Sequence, residues 1–503
     1  MSSYPPTPEP TPPPPSPPPP AGPPIRPQPP YPDLRSNTNI QGNVLAGFNK
    51  DHQAILFLHI PDQSHGQTLL NDLLPLVSTN ADVTDFNQKF SAARRSAHQD
   101  PDDLSATWIG VSLTFSGLRV LSPGSEGPLS GPQQWDPTIE RWHSGATSAP
   151  DVAASGPEAP ENWDFGRPDQ PIELVVVVSA DNSSDLLGIL NELYQLVAKH
   201  DAAIVFEQDG AVLPGARHGH EHFGFKDGIS QPGVLGYDQP DPTNANMVNN
   251  KPGTLLIEAG EFVLGYPGHN RVEGRSVPLW MFDGSFFVIR RLRQDVPGWW
   301  AQAEGLQTSF ARTAEAITAK LVGRWRSGVP VSESPTNDPR SGPDRSSNNN
   351  FDFSDDLPGT NAPLCAHIRK VNPRAGTVPG QDAVSQRRIL RRGIPFGDPF
   401  DPSAGKNHGP DSARGLVFAC YQTSIGDQFE FLQSSWAGSS GFPGANDGPD
   451  PVIGPTEQAT IPGSSAEPVG LGRFVDLEGA LYAFTPSIAT LALLANGTGL
   501  PVV

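Results

Sequence analysis

Cysteine is nearly missing: Cys365 and Cys420 are the only two in 503 residues. Two thiols build neither a disulfide scaffold nor a cysteine-ligated metal site, and with no Cys-x-x-Cys-His segment a haem has no covalent attachment point. Basic charge is scarce too. Acidic residues outnumber basic ones 54 to 34, giving a net charge of −20. So acidic a chain lacks the cationic surface that phosphate backbones require, and no nucleic-acid partner is expected. Long hydrophobic runs are absent: no segment approaches the roughly 20 apolar residues of a membrane-spanning helix. The N-terminus has neither the basic start nor the apolar run of a secretory signal. The chain reads as soluble, with no membrane partner, and a cytoplasmic location is expected, with unconventional secretion left open.

Proline is abundant instead. The first 33 residues hold 18 of them, as in "TPPPPSPPPPAGPPIRPQPPYP", a composition that favours extended polyproline with nothing to bury. Residues 1–37 are therefore set aside as a disordered arm, its expected use being to dock on a protein partner.

From residue 38 the pattern changes. "QAILFLHI" reads as a buried strand, 67–77 and 83–97 as amphipathic helices, and "TWIGVSLTF" as a second strand. "PIELVVVVSA", the helical "SSDLLGILNELYQLVAKH" and "AAIVFEQDGAV" then give strand, helix, strand. This βαββαβ order is ferredoxin-like. It recurs with "GSFFVIRRLRQD", a helix over 298–324, "GLVFACYQ", a helix around "QFEFLQSSWA", and "GALYAF". The fold expected is α+β with two tandem ferredoxin-like domains, 38–215 and 216–503. Between the elements, 122–170, 237–254, 331–362, 398–414 and 437–470 are rich in Pro, Gly, Ser, Asn and Asp and read as long surface loops.

Three segments carry residues suited to chemistry. "HGHEH" places His218, His220 and His222 at alternate positions, which on a strand would face one side as zinc or copper ligands do. Gly215, Gly219 and Gly224 argue against a regular strand there. In "AHIRKVNPR", His367 is followed by Arg369, Lys370 and Arg374; neutral imidazole is a common axial haem ligand, and the cations suit a porphyrin's carboxylates. "RRILRRGIPFG" crowds Arg387, Arg388, Arg391 and Arg392 into a short apolar setting. A lone histidine is usually a packed or surface residue, and an arginine run usually a solvated strand edge.

Taken in order, "EHFGFKDGISQPGV", "AHIRKVNPR" and "ILRRGIPFG" resemble the dye-decolorizing peroxidase family, whose Gly-x-x-Asp-Gly motif is here Gly224 to Gly228. "NIQGNVLAGF", "DGSFFVIRRLRQDV" and "YAFTPSIATL" extend the likeness over nearly all of the chain from residue 38, and the long loops are similar to those of the larger, mostly fungal members. The proline arm and the missing signal peptide depart from that pattern. The resemblance implies a dimeric α+β barrel-like fold with noncovalent haem b in the C-terminal half, and a peroxidase that reduces hydrogen peroxide while oxidising phenols and dyes, small or bulky, by single electrons.

It further implies His367 as the iron ligand, Asp227 and Arg391 on the peroxide face, and Arg374 on a haem propionate. A carboxylate in reach of bound peroxide can take up and return its proton, and a permanent guanidinium stabilises the developing negative charge. An axial imidazole usually donates its second N–H to a carboxylate; Glu430 is the acceptor expected here, with Asp427 the alternative. Bulky donors need a surface aromatic to pass electrons inward. Some relatives place a tyrosine where this chain has Phe396, so Trp436 is the expected substitute unless it is simply a core aromatic. Two other classes remain open: a haem sensor or carrier without turnover, and a non-haem metal enzyme built on His218–His222.

Overall fold

The computed structural model describes residues 33–97, 104–125, 137–268, 277–339, 348–374, 384–400, 413–444, 448–455, 458–459 and 469–501. The proline-rich arm lies outside them as far as residue 32. Residues 33–37, grouped with the arm on composition, pack on the body: Leu34 is buried and its N–H donates to Gly236 O at 3.1 Å.

Among the described residues, nine strands make one antiparallel sheet: β1 (His52–His59), β2 (Thr107–Leu113), β3 (Leu174–Ala180), β4 (Ala203–Ala211), β5 (Ser285–Gln294), β6 (Leu390–Arg391), β7 (Ile394–Phe396), β8 (Gly415–Gln422) and β9 (Val475–Thr485). The spatial order is β4-β1-β3-β2-β9-β5-β8, with β6 and β7 both on the far edge of β8. Each half thus repeats one ferredoxin-like order, and the two halves join where Leu113 of β2 pairs with Phe484 of β9. The expected α+β fold is the one observed. The outer edges also approach one another. A Cβ on Gly210 of β4 would sit 2.5 Å from Ile394 and 3.1 Å from Pro395 O of β7, so only glycine allows the sheet to curl this far.

Alternation along the strands sorts the side chains. Ile55 and Phe57 of β1, Val175 and Val177 of β3, Phe287 and Ile289 of β5, and Val417 and Tyr421 of β8 fill the inside of the curl. Phe287 stacks on Tyr421 with ring centroids 4.5 Å apart. The opposite set, including Leu56, Val176, Phe286 and Val288, faces outward under helices.

Helix ends follow caps rather than hydrophobic periodicity alone. The first helix is Gln63–Leu73, started by Asp62 accepting from His65 N, and the second is Asn80–Ala97; both begin earlier than expected because polar caps precede the apolar stripe. The helix expected over 298–324 is three pieces, Val296–Gly305, Gln307–Phe310 and Ala314–Val322, broken at Ala311, whose φ is +48°. Around "QFEFLQSSWA" the helix runs Ile425–Ala437 in the wide π form, a geometry that recurs at functional sites.

The 122–170 insertion is more than a surface loop. It contains a helix, Pro137–Ser144, and buries Trp142, Trp163 and Phe165. Trp142 lies edge-on to Phe286 of β5, and Arg290 of β5 holds Asp151 with two hydrogen bonds of 2.5 and 2.9 Å. Among the described residues, no helix is long and apolar enough to cross a membrane.

Candidate active site

Outward-facing positions of β5 change character along the strand. Phe286 and Val288 are core, whereas Arg290, Leu292 and Gln294 line a cavity of about 580 Å³, together with Leu416 and Phe418 of β8 and Val475 and Leu477 of β9. Pairing of Leu416 with Leu292 and of Leu477 with Leu292 puts these side chains on one face. A second wall comes from the short helix His367–Val371, from Phe429, Leu432 and Gln433 of the π helix, and from Val452 and Ile453. The size is that of an organic cofactor pocket.

The three sequence motifs meet at this cavity. Gly224 and Gly228 have φ of +99° and +74°, values that side-chain-bearing residues rarely adopt. A Cβ at Gly224 would also press on the Arg326 guanidinium at 2.8 Å, while one at Gly228 meets nothing within 4 Å, so there the backbone conformation alone requires glycine. Asp227 accepts from Gly228 N at 2.6 Å and from Arg391 Nη1 at 2.8 Å. Gln231 brackets the Arg391 backbone, donating to its carbonyl at 2.9 Å and accepting from its N–H at 3.3 Å. Ser230 takes Arg391 on its carbonyl, and Asn372 and Arg374 on its hydroxyl. Burial works to raise the Asp227 carboxyl, but the Arg391 charge and the two hydrogen bonds outweigh it and hold the group below its ordinary value.

His367 opens its helix and lines the cavity. Its Nδ1 is 2.7 Å from Asp450 Oδ2, and a carboxylate can only accept, so the proton sits on Nδ1 and Nε2 is left for the cavity. The Asp450 side chain is fully buried, its other oxygen accepting from Val452 N and Ile453 N at 2.8 and 3.1 Å. Burial lowers the imidazole pKa, but the Asp450 charge and hydrogen bond reverse that and leave it raised.

This corrects the expected partner. Glu430 is buried on the π helix, but its carboxylate accepts from Tyr482 Oη at 3.1 Å and pairs with Arg141 at 3.0 Å, away from His367. Burial raises its pKa despite Arg141. Asp427, the alternative, caps the same helix with Ser424 and faces Arg387. Asp450 escaped sequence reasoning because it lies 83 residues from His367 in a polar insertion; the only local hint is the apolar Val452–Ile453 pair that follows it.

Cationic groups crowd one end. Arg374, itself at φ +59°, donates to Asn349 O, Phe351 O and Asn349 Oδ1. Burial, reinforced by Arg324, lowers its pKa to about 9. Burial likewise lowers Arg324 to about 10, with Arg391 adding to it. Arg388 is lowered to about 9 by burial and then by Arg374 and Arg391, and its guanidinium has no hydrogen-bond partner among the described residues. An enclosed cation of this kind is costly without an anion beside it.

The remaining expectations fall elsewhere. His218 is exposed near Asp51, His220 is hydrogen-bonded to His218 O, and His222 is buried with Nε2 2.9 Å from Phe396 O. Burial pushes His222 down to about 4, so it stays neutral and donates. These rings form no common site, and no group of three His, Cys, Asp or Glu suited to a metal occurs among the described residues. Phe396 is buried beneath the Arg291 guanidinium, 4.3 Å from its ring centre. Trp436 is buried against Phe442, ring centroids 5.0 Å apart and nearly parallel, which is a core aromatic rather than a surface one.

Residues 39–204 match the family described as DyP dimeric alpha+beta barrel domain, and residues 269–445 match that described as Dyp-type peroxidase, C-terminal. The chain is 30% identical over 481 residues to dye-decolorizing peroxidase msp1 of Mycetinis scorodonius, spanning 90% of this chain and 86% of that protein. An ancestral D-type dye decolorizing peroxidase superimposes with a TM-score of 0.73 at 31% identity, over 91% of this chain and 98% of that one. A dye-decolorizing peroxidase solved in complex with 2,6-dimethoxyphenol superimposes with a TM-score of 0.73 at 27% identity, over 91% and 99%.

Proposed function

Since the chain belongs to the dye-decolorizing peroxidase family, and is thereby a haem-dependent peroxidase acting on phenols and dyes with hydrogen peroxide, we propose that Asp227 and Arg391 perform its peroxide chemistry and that His367 carries the iron. The observation that bears most weight is the convergence of the Asp227–Arg391 pair and the His367–Asp450 pair on one cavity.

The donor set fits haem b. His367 Nε2 is the nitrogen left to bind iron, with Asp450 holding the tautomer and raising the ligand's basicity. Arg374 and the unpartnered Arg388 supply cations for two propionates. Leu292, Leu416, Phe418 and Val452 supply the apolar walls. When bound, the haem supplies the iron centre at which peroxide is cleaved and the oxidising equivalents are kept.

The chain's own task is to move one proton and neutralise charge. Asp227, kept ionised by Arg391, accepts the proton of an incoming peroxide at its free carboxylate oxygen. It then delivers that proton to the departing oxygen, which leaves as water. Arg391 stays protonated throughout and stabilises the peroxide anion and the leaving oxygen. Electrons then come singly from aromatic donors. A sensor or carrier has no use for an ionised base paired with a guanidinium beside its cofactor, which argues against that alternative.

The test is spectroscopic. Protein produced with adequate haem is mixed with one equivalent of peroxide and followed by stopped-flow absorbance, then given a phenol. The expected result is a rapid change of the haem bands, reversed by the donor. Haem bands indifferent to peroxide would overturn the reading.

A further inference from the structure

A second carboxylate stands in the wall that carries Asp227. Glu221 lies six residues earlier in the same glycine-rich stretch and lines the cavity. The backbone around it is a small hairpin: Asp227 N donates to Gly219 O at 3.0 Å, Glu221 N to Phe225 O at 3.1 Å and Gly224 N to Glu221 O at 2.9 Å. Its tip leaves the Phe223 and Phe225 amides without backbone acceptors. The Glu221 carboxylate takes both at 2.8 Å, one on each oxygen, and also the Gln294 side-chain amide of β5 at 2.6 Å. One carboxylate therefore closes the hairpin and ties it to the sheet. Phe223 and Phe225 are held in the apolar cluster behind, where Phe223 stacks on Trp299 at 4.8 Å. His222, between Glu221 and Phe223, anchors the other side through Phe396 O, just beyond the segment that carries Arg391.

We propose that Glu221 is a positioning residue for the peroxide reaction: its carboxylate fixes the hairpin that presents Asp227, and that hold weakens in acid. This rests on the reading of Asp227 as the acid–base group.

Several charged groups share that environment. Asp227 and Lys226 belong to the same loop; Arg290 lies on β5, on the cavity face that also carries the neutral Gln294; Arg324 and Arg326 follow the helix Ala314–Val322; Arg391 comes from β6, and Asp151, His367 and Arg473 also line the cavity. Burial raises the Glu221 carboxyl, and the like charge of Asp227 adds to the rise. With Glu221 raised and Asp227 held low, Glu221 protonates first as pH falls, and its neutral carboxyl is a poorer acceptor for the three N–H groups, so the hairpin loosens while Asp227 is still ionised. Arg391, hydrogen-bonded to Asp227 alone of the two, is what separates them.

Glu221→Gln separates the two roles. A glutamine side chain has one acceptor oxygen for three donors, and its NH₂ faces an amide that needs an acceptor. Amide hydrogen exchange over 219–228, read by mass spectrometry, should therefore accelerate. The peroxide reaction of the haem-loaded variant should slow by about tenfold or more, as small misplacements of reacting groups do. Its acid limb should move to lower pH, because no clamping group now protonates ahead of Asp227. Gln294→Leu keeps both carboxylates and removes a donor that favours ionised Glu221: exchange should rise and the acid limb should move to higher pH. It also serves if Glu221→Gln does not fold. Unchanged exchange in both variants overturns the clamp, and an acid limb that moves the same way in both, or in neither, overturns its weakening in acid. Asp227→Asn run in parallel distinguishes these failures from failure of the underlying reading, since wild-type peroxide rates in that variant would remove Asp227 itself.

Discussion

On the outer face of the first half, Leu56, Leu58, Val176 and Val178 are covered by helices bearing Leu69, Leu70, Leu73, Leu186, Leu190 and Leu193. On the matching face of the second half, the same alternation along β5 passes from Phe286 and Val288, packed under Trp142, to Arg290, Leu292 and Gln294 at the cavity. One strand order thus supports a filled face and a hollow one. The difference lies in the connections: the first half crosses over through the helices Gln63–Leu73 and Asn80–Ala97 and then through Ser183–Lys199, while the second interposes long segments that stand off from the sheet and bring arginines, His367 and Asp450 to the space between. A duplicated scaffold becomes a site where covering side chains are removed and polar groups are supplied by loops.

The contrast can be broken first on the hollow side. Asp227→Asn should slow peroxide cleavage by roughly 10²–10⁴-fold while haem content stays near wild type. In the wild type, the cleavage rate should fall as pH drops through the Asp227 pKa, which lies below the ordinary carboxylate value, because only the ionised form accepts a proton. A variant as fast as wild type at every pH by stopped flow would end the assignment.

Trp142→Ala attacks the filled side, where the indole meets Phe286, Phe484 and Phe115. A loss of about 3–5 kcal/mol is expected by denaturant titration, from lost contacts and the cavity left behind. A loss below about 1 kcal/mol would mean that the insertion is an accessory loop.

Asp450→Ala leaves His367 Nδ1 without its acceptor and should weaken haem binding by about 10–100-fold on titration of apoprotein. Glu430→Gln, which disturbs only Tyr482 and Arg141, should leave haem affinity unchanged. The reverse ranking would return Glu430 to the site.

Arg388→Leu sharpens the comparison, because a group suited to a ligand is a burden without it. The haem-free protein should gain about 1–3 kcal/mol, the scale of a buried polar group without a partner, while haem affinity falls. Equal stability of the two apoproteins by thermal melting would mean that Arg388 is solvated. Phe396→Tyr should do least: a hydroxyl beneath Arg291 reaches no surface, so the ratio of turnover on a bulky dye to that on a small phenol stays as it was. A ratio raised in steady-state kinetics would show that the position reaches donors after all.

Much of this was legible beforehand, and the reason is physical. β1, β3, β5 and β8 are runs of alternating or continuous apolar residues whose burial hardly depends on what is far away. Asp227, His367, Arg374 and Arg391 stood in compact motifs, so their types and order survive without coordinates. Helix limits were missed where a cap such as Asp62, or a left-handed residue such as Ala311, decided them. The polar insertions were underread because their buried residues, Trp142, Phe165 and Asp450, are isolated in sequence and become core only on meeting a distant surface.

The sequence by itself determined the repeated α+β pattern and the acidic and cysteine-poor character, since these depend on local periodicity and residue type, while Asp227, His367, Arg374 and Arg391 were singled out by motifs that resemble a family. Only the tertiary structure decided that Asp450 rather than Glu430 holds His367, that Arg388 faces the cavity unpaired, and that Glu221 clamps the loop of Asp227. Each of those outcomes is a contest between burial cost and an available partner, and the partner's distance is set by how the loops cross the sheet, not by spacing along the chain.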